Sequence, residues 1–285
     1  MRIVECVPNF SEGRDTSVVE AIARSITSVS GVRVLDSTMD PDHHRSVITF
    51  AGAPEPVMEA AFLAVATAAK LIDLDRHSGV HPRFGATDVL PFVPLQAVSM
   101  EECVRMAEVV GQRIWNELSI PVYLYEFAAR NPERRRLEQV RRELRENPAS
   151  VPDFGDISSH ATAGAIIAGA RKVLVAFNVN LNTPDVSVAR DIARRIRESS
   201  GGLPGVKALG LFLASRNLAQ ISMNLVDIDV TPVHVVFEAI RREAESAHVE
   251  IAGSEFIGLV PKRAVEQAAA YHLKLEQMEF HVLPW

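Results

Sequence analysis

From residue 172 onward, strand and helix patterns follow one another in an order that few folds accommodate. Residues 172–179 read as a strong strand, 185–198 as a helix and 206–212 as a second strand. Residues 221–229 alternate apolar and polar side chains, the pattern of a half-buried strand, and 232–247 form a helix. A short strand at 257–260 and a helix at 261–275 complete the series. The order βαββα plus a terminal strand is that of a ferredoxin-like unit.

The first half reads in the same order with an extra helix and strand appended. Residues 2–7 are a strand, ended by Pro8 and the polar run to Gly13. Val18, Ile22, Ile26 and Val29 fall on one helical face that Gly31 stops. Residues 32–35 and 47–50 read as strands separated by a polar loop at 36–45, and Pro54 opens an alanine-rich helix to about Leu71. A strand at 89–95 follows. Ser99 and Glu102 have capping-box spacing before a helix that ends ahead of Pro121, and 122–125 is another strand. With 285 residues the chain is long enough for two cores. The expectation is an α+β fold of two ferredoxin-like units, 1–171 and 172–285. Their mixed sheets are expected to face each other across a substrate cleft, with helices outside.

Between these elements, residues 71–94 hold the densest polar chemistry. Helix gives way near Asp73 to a loop that contains His77, His81, Arg83 and Asp88. Pro82, Gly79 and Gly85 forbid a continuous helix, and His81 precedes a proline, which biases it toward extended backbone. A loop of this kind between two buried elements is a place for catalysis, and His81 is the candidate general base. The i,i+4 spacing of His77 and His81 raises a metal site, but Gly79 and Pro82 undermine the single helical face such a site needs, so no metal is expected. His77 is read as a structural histidine. His43 and His44, beside Asp40, Asp42 and Arg45, belong either to a solvated loop or to a polar pocket.

Two further segments stand out by composition. Residues 130–146 interleave seven arginines, among them Arg134 and Arg141, with Glu133, Glu138, Glu143 and Glu146. The interspersed carboxylates and the lack of aromatics favour a solvated helix face over a phosphate-binding arm. Residues 147–169 are rich in Gly, Ser, Ala and Pro without a sustained period, which makes them a loop: either a close-approach ligand loop or a linker. A formal charge of −6 argues against a nucleic-acid partner. Cys6 and Cys103 are too few for a disulfide framework and fit reduced thiols in the cytoplasm. Glu5 interrupts the N-terminal apolar run, so no signal peptide is read there, and Lys70 and Asp73 break the longest apolar stretch, which argues against a membrane span.

Several sequence blocks carry a family resemblance. They include Val4-Glu5-Cys6-Val7-Pro8-Asn9-Phe10-Ser11-Glu12-Gly13, Leu71-Ile72-Asp73 through His81-Pro82-Arg83, and Gly85 with Asp88-Val89. Further along come Pro121-Val122-Tyr123-Leu124-Tyr125, Pro152-Asp153-Phe154-Gly155, Gly169-Ala170-Arg171-Lys172, Ala176-Phe177-Asn178-Val179-Asn180-Leu181 and Gly258-Leu259-Val260-Pro261. In this order they resemble the formiminotransferase domain family over nearly all of the chain.

The resemblance implies a duplicated ferredoxin-like fold in which tetrahydrofolate, as co-substrate, meets formiminoglutamate between the halves. It implies transfer of the formimino group to tetrahydrofolate in histidine degradation. The family's catalytic histidine falls on His81. Its folate loop falls on Gly155, Asp156, Ile157, Ser158, Ser159, His160, Ala161, Thr162, Ala163 and Gly164. Two departures stand out: the loop reads Ser-Ser-His-Ala-Thr-Ala where animal members carry bulkier residues, and Thr38 replaces an acidic residue, so that Asp36 or Asp40 serves instead. The chain ends at Trp285 without the helical cyclodeaminase domain of bifunctional relatives, so a separate cyclodeaminase is an expected partner, together with (poly)glutamylated tetrahydrofolate and a second copy in a homodimer.

Candidate substrate-orienting residues are Asp40, His44, Arg45, Arg83 and Asp88. A carboxylate such as Asp40 or Asp88 would favour the amidinium form of the formimino group. Arg83 and Arg45 offer paired donors to substrate carboxylates, or else pair with Asp36 or Asp88. Arg171 and Lys172 follow the folate loop and would attract the glutamyl tail. Three alternatives share the pattern: formyl transfer from N-formylglutamate, hydrolysis of the one-carbon group, and a non-catalytic folate-binding module.

Overall fold

A computed structural model describes residues 1–41, 44–76, 84–147, 149–157, 160–214 and 216–275. The chain divides into two compact units, Met1–Arg171 and Lys172–Trp285. In the first, β1 (Ile3–Cys6) and β2 (Asn9–Phe10) form an interrupted strand that leads to α1 (Thr16–Thr27), β3 (Arg33–Asp40), β4 (Arg45–Gly52) and α2 (Pro54–Leu71). Next come β5 (Thr87–Gln96), α3 (Met100–Leu118), β6 (Val122–Glu126), α4 (Leu137–Glu146) and β7 (Ile166–Ala170). The strands lie in the order β3, β4, β1 with β2, β5, β7, β6. Pairings are antiparallel up to β5, while β7 runs parallel to both β5 and β6.

Alternation gives this sheet two different faces. Val4 and Cys6 of β1, Ile48 and Phe50 of β4, and Leu90 and Phe92 of β5 join Ile22 and Ile26 of α1, Ala61 and Val65 of α2, and Met106 and Ile114 of α3 in one buried core. Each fully buried Ile or Phe contributes roughly 1.5–3 kcal/mol. The opposite face is polar. Register sets Asp36 across from Thr49, Thr38 from Val47, Asp40 from Arg45 and Glu5 from Ala51, so that all share this face with Asn9, which pairs Val47. A smaller cluster of Val89, Tyr123, Tyr125 and Ile167 packs there beneath Val140 of α4.

The second unit runs β8 (Val175–Leu181), α5 (Val186–Ile196), β9 (Val206–Leu213), β10 (Leu218–Leu225), α6 (Val233–Ser246), β11 (Ile251–Ile257) and α7 (Lys262–Leu273). Its sheet is antiparallel throughout, in the order β11, β8, β10, β9. Phe177, Val179, Ile221 and Met223 pack under Ile192 of α5 and Val236 and Ile240 of α6. The fourth strand of the βαββαβ series thus lies beside the first. In the first unit β5 lies beside β1 and β2 in the same way.

Three sequence expectations change. The polar stretch expected to be a loop at 36–45 is largely strand: β3 continues to Asp40 and β4 begins at Arg45. β3 pairs with β4 alone, and an edge strand tolerates polar side chains on both faces. The expected loop at 147–169 hides β7, whose five residues are all buried. A central parallel strand has no solvent face, so it shows no alternation to read. The final strand falls at 251–257, ahead of the 257–260 expected. Among the described residues no helix is long and apolar enough to cross a membrane.

Candidate active site

The loop bearing His81 lies outside the described residues, as do His43, His77, Arg83, Ser158 and Ser159. Both of its flanks are described, and both are held by the segment expected to bind folate. After α2, a 3-10 turn at Leu74–Arg76 leads into the loop, and the Leu74 N–H donates to the Thr162 carbonyl at 2.9 Å. Beyond the loop, the Ala165 N–H donates to the Phe84 carbonyl at 2.7 Å and the Ala86 N–H to the Ala163 carbonyl at 2.9 Å. Ser11 secures the same edge through its Oγ to the Gly85 carbonyl, 2.7 Å.

This approach leaves no room for side chains at two glycines. A Cβ on Gly85 would lie 2.1 Å from the Ala165 carbonyl oxygen, and one on Gly164, at φ +66°, 2.2 Å from that of Phe84. His160 shapes the turn between them: it exchanges backbone hydrogen bonds with Gly164, and its Nδ1 accepts the N–H groups of Thr162 (3.3 Å) and Ala163 (3.1 Å). An Nδ1 that accepts carries no proton, so the neutral ring is the Nε2–H tautomer. Ala163 is buried, whereas Asp156, Ile157 and Ala161 are exposed, and Gly155 sits at φ +107° beside the Trp115 ring.

The polar residues beside the flank at Phe84 form a charged cluster. Asp88, fully buried, accepts the Phe84 N–H at 3.2 Å on one oxygen and the Arg141 guanidinium at 2.5 Å on the other. Arg141 retains a buried Nε without a hydrogen-bond partner. Burial first, and then the nearby Arg141, pull the Arg45 guanidinium below its ordinary pKa, with Asp88 and Asp40 offsetting this only in part. Arg45 and Arg141 thus lie in one cluster with two carboxylates, Asp88 and Asp40.

His44 occupies the polar-pocket alternative, with its Nε2 3.0 Å from Glu12 Oε1 and its side chain 12% exposed. Asp40 and Arg45 are cross-strand neighbours, and Thr38 lies between Asp36 and Asp40 on the same face of β3.

Two participants escaped the sequence reading. Arg141 sits in the segment read as a solvated helix face, and that reading fails for Arg134 as well. Arg134 is buried and bonds Glu143 (2.7 Å), Asp153 (3.0 Å), Ser150 and the Val151 carbonyl, with its guanidinium over the Tyr123 ring. It fastens α4 and residues 150–153 together. Glu5 is the second. Burial raises its carboxyl pKa against the opposing pull of Arg171, and its place in the alternation of β1, opposite to Val4 and Cys6, was the available signal. Among the described residues no group of three or more His, Cys, Asp or Glu could hold a metal ion.

A two-unit α+β protein in which a small-residue loop bonds both flanks of a histidine-bearing segment about 80 positions away defines a class, and comparison with known proteins places it further. Residues 3–171 match the formiminotransferase domain, N-terminal subdomain, and residues 176–282 match the formiminotransferase domain. The chain belongs to the formiminotransferase domain family. It is similar to a glutamate formimidoyltransferase of Thermoplasma acidophilum, at 48% identity over 96% of this chain and 93% of that one. A Streptococcus pyogenes protein of the same name is 43% identical over 98% and 96%. A formimidoyltransferase-cyclodeaminase of Mus musculus is 44% identical over 97% of this chain, which spans 53% of that longer protein.

Proposed function

We propose that this protein is an enzyme that transfers the formimino group of N-formimino-L-glutamate to tetrahydrofolate, giving 5-formiminotetrahydrofolate and glutamate in histidine degradation. Beyond family membership, the docking of residues 162–165 on both flanks of the His81 loop carries this reading: the two stretches assigned to catalysis and to folate are fixed to one another by backbone hydrogen bonds. We further infer that the two units use one βαββαβ plan twice, given their matching strand order.

The reaction forms a bond from folate N5 to the formimino carbon and breaks that carbon's bond to the glutamate nitrogen. N5 is a neutral amine that must lose its proton once bonded to carbon. His81 accepts that proton and then returns one to the departing glutamate nitrogen. Histidine suits both steps because its pKa lies near the operating pH. Asp40 favours the amidinium form of the donor, which makes the carbon more electrophilic. Arg45 and Arg141, with Arg141 aimed by Asp88, take a substrate carboxylate.

The test is His81→Ala. The variant should lose about 10²–10⁴ in kcat, with the KM of each substrate little changed. Turnover near that of the unaltered protein would remove His81 from the chemistry.

A further inference from the structure

The start of α6 and the end of α7 meet in a histidine-bearing contact that the transferase reading does not use. His234, in the first turn of α6, stacks on Tyr271 in the last turn of α7, with ring centroids 4.6 Å apart and planes 22° from parallel. The His272 ring stands nearly perpendicular to Tyr271 at 5.2 Å and to Phe237 of α6 at 5.9 Å. Little else holds this helix. The buried residues of α7 are Ala264 and Ala270, which bring one methyl group each, so the ring contacts form a large share of its attachment to α6.

His234 is badly placed to carry a charge. Its Nδ1 is buried and meets no hydrogen-bond partner among the described residues. A neutral ring can leave that nitrogen without a proton, whereas the imidazolium has an N–H on both nitrogens and would strand a buried donor. Burial first, and then the neighbouring His272, pull the pKa of His234 below its ordinary 6.5, with Glu238 opposing them. Glu238 is itself bonded by Arg241 at 2.8 Å. The carbonyl end of α7, which would favour a cation, is closed by the N–H groups of Lys274 and Leu275, bonded to the Tyr271 and Ala270 carbonyls. The other charges of α7, Lys262 and Arg263, pair with Glu266 and Asp229. Of the remaining elements packed on α6, β8 has no titratable side chain. On α5, Asp191 pairs with Arg194 and Arg195 with Glu243, which leaves Arg190 as its other charge.

We propose that the stack of His234 on Tyr271, with His272 beside it, is a pH-sensitive latch: protonation of the histidines releases the last turn of α7 from α6. The latch does not depend on the transferase reading. A folded-state pKa below the unfolded value means that the attachment is complete above 6.5 and weakens as the pH falls below it, levelling off beneath the depressed value. The core that α5 and α6 share with the sheet, with Phe177, Val179, Ile221 and Met223, is built of apolar side chains and should not respond.

The experiment follows amide hydrogen exchange of the full chain by mass spectrometry at about pH 7.5 and about pH 5.5, corrected for the intrinsic pH dependence of exchange. Peptides of α7 are compared with peptides of α5. In the unaltered protein the protection of α7 should fall about threefold or more at the lower pH, while that of α5 stays within about 1.5-fold. His234→Phe keeps a ring to stack on Tyr271 and cannot titrate, so α7 in this variant should keep its protection at both pH values. His234→Gln loses the stack as well as the titration, so its α7 should be less protected than that of the unaltered protein at pH 7.5 and change little on acidification. Equal protection of α7 at the two pH values in the unaltered protein would overturn the proposal. So would a loss shared equally by α5, which would mark a general acid destabilisation of the unit. A full pH effect persisting in His234→Phe would do the same, and should that variant not fold, a full effect in His234→Gln decides in its place.

Discussion

Glu12 gathers three backbone N–H groups on one carboxylate oxygen: Gly13 at 2.9 Å, Arg14 at 2.7 Å and Asp15 at 2.9 Å, with His44 at 3.0 Å. Burial alone would raise its pKa, but the N–H groups of Asp15 and Arg14 and then His44 outweigh it and hold the carboxyl below its ordinary value of 4.5. A lowered folded-state value means the stabilisation is complete above 4.5 and lost as pH falls through the depressed value. Glu12→Gln should therefore cost about 1–3 kcal/mol near neutral pH. In denaturant titrations that difference should shrink toward zero in strong acid. The two thiols behave oppositely. Burial, then Glu102, pushes the Cys103 thiol up to about 12, and burial followed by Glu5 raises Cys6. Neither should react with a thiol reagent at pH 8 until the protein is unfolded, which a timed absorbance assay would check. At this scale the sequence exposed His81, Asp40 and Arg45 as chemistry-bearing types, yet it could not separate Arg141 from its neighbours in the arginine-rich run. Which arginine is buried depends on a contact with Asp88, 53 positions away.

At the scale of elements, strong local signals were legible. Pro54 opens α2 where expected, and the Ser99–Glu102 capping box that begins α3 is formed. β7 was not legible, because Ile-Ile-Ala-Gly-Ala has the composition of a small-residue loop and owes its strand to pairing with β5 and β6. Gly169 in that strand leaves space for the Tyr125 ring, which a Cβ would meet at 2.5 Å. Two variants test how these elements are joined. Gly164→Ala places a Cβ against the Phe84 carbonyl at a left-handed φ, so it should destabilise the protein by at least about 1–2 kcal/mol. It should also lower kcat at temperatures where circular dichroism still reports a folded chain. Arg134→Met leaves Glu143 and Asp153 without their shared cation and should cost roughly 3–5 kcal/mol in urea unfolding. Unchanged stability in Arg134→Met would mean that α4 is fastened by Val140 and Leu144 alone.

For the whole molecule, the βαββαβ order of the second unit could be read from hydrophobic periods. Of the further strands of the first unit, β6 is legible at 122–125, whereas β7, which joins β5 and β6 by parallel pairing, is not. In the first unit every candidate residue on a strand other than Asp88, from Asp40 and Arg45 to Glu5, belongs by register to the sheet face opposite the core formed with α1, α2 and α3. In the proposed reaction a one-carbon unit passes from glutamate to folate and not to water. Release of glutamate from N-formimino-L-glutamate by the full chain, followed with and without tetrahydrofolate and beside N-formyl-L-glutamate, addresses it most directly. Release is expected only with tetrahydrofolate present, equal in amount to the 5-formiminotetrahydrofolate formed and faster than with the formyl donor. Release at the same rate without tetrahydrofolate would contradict it.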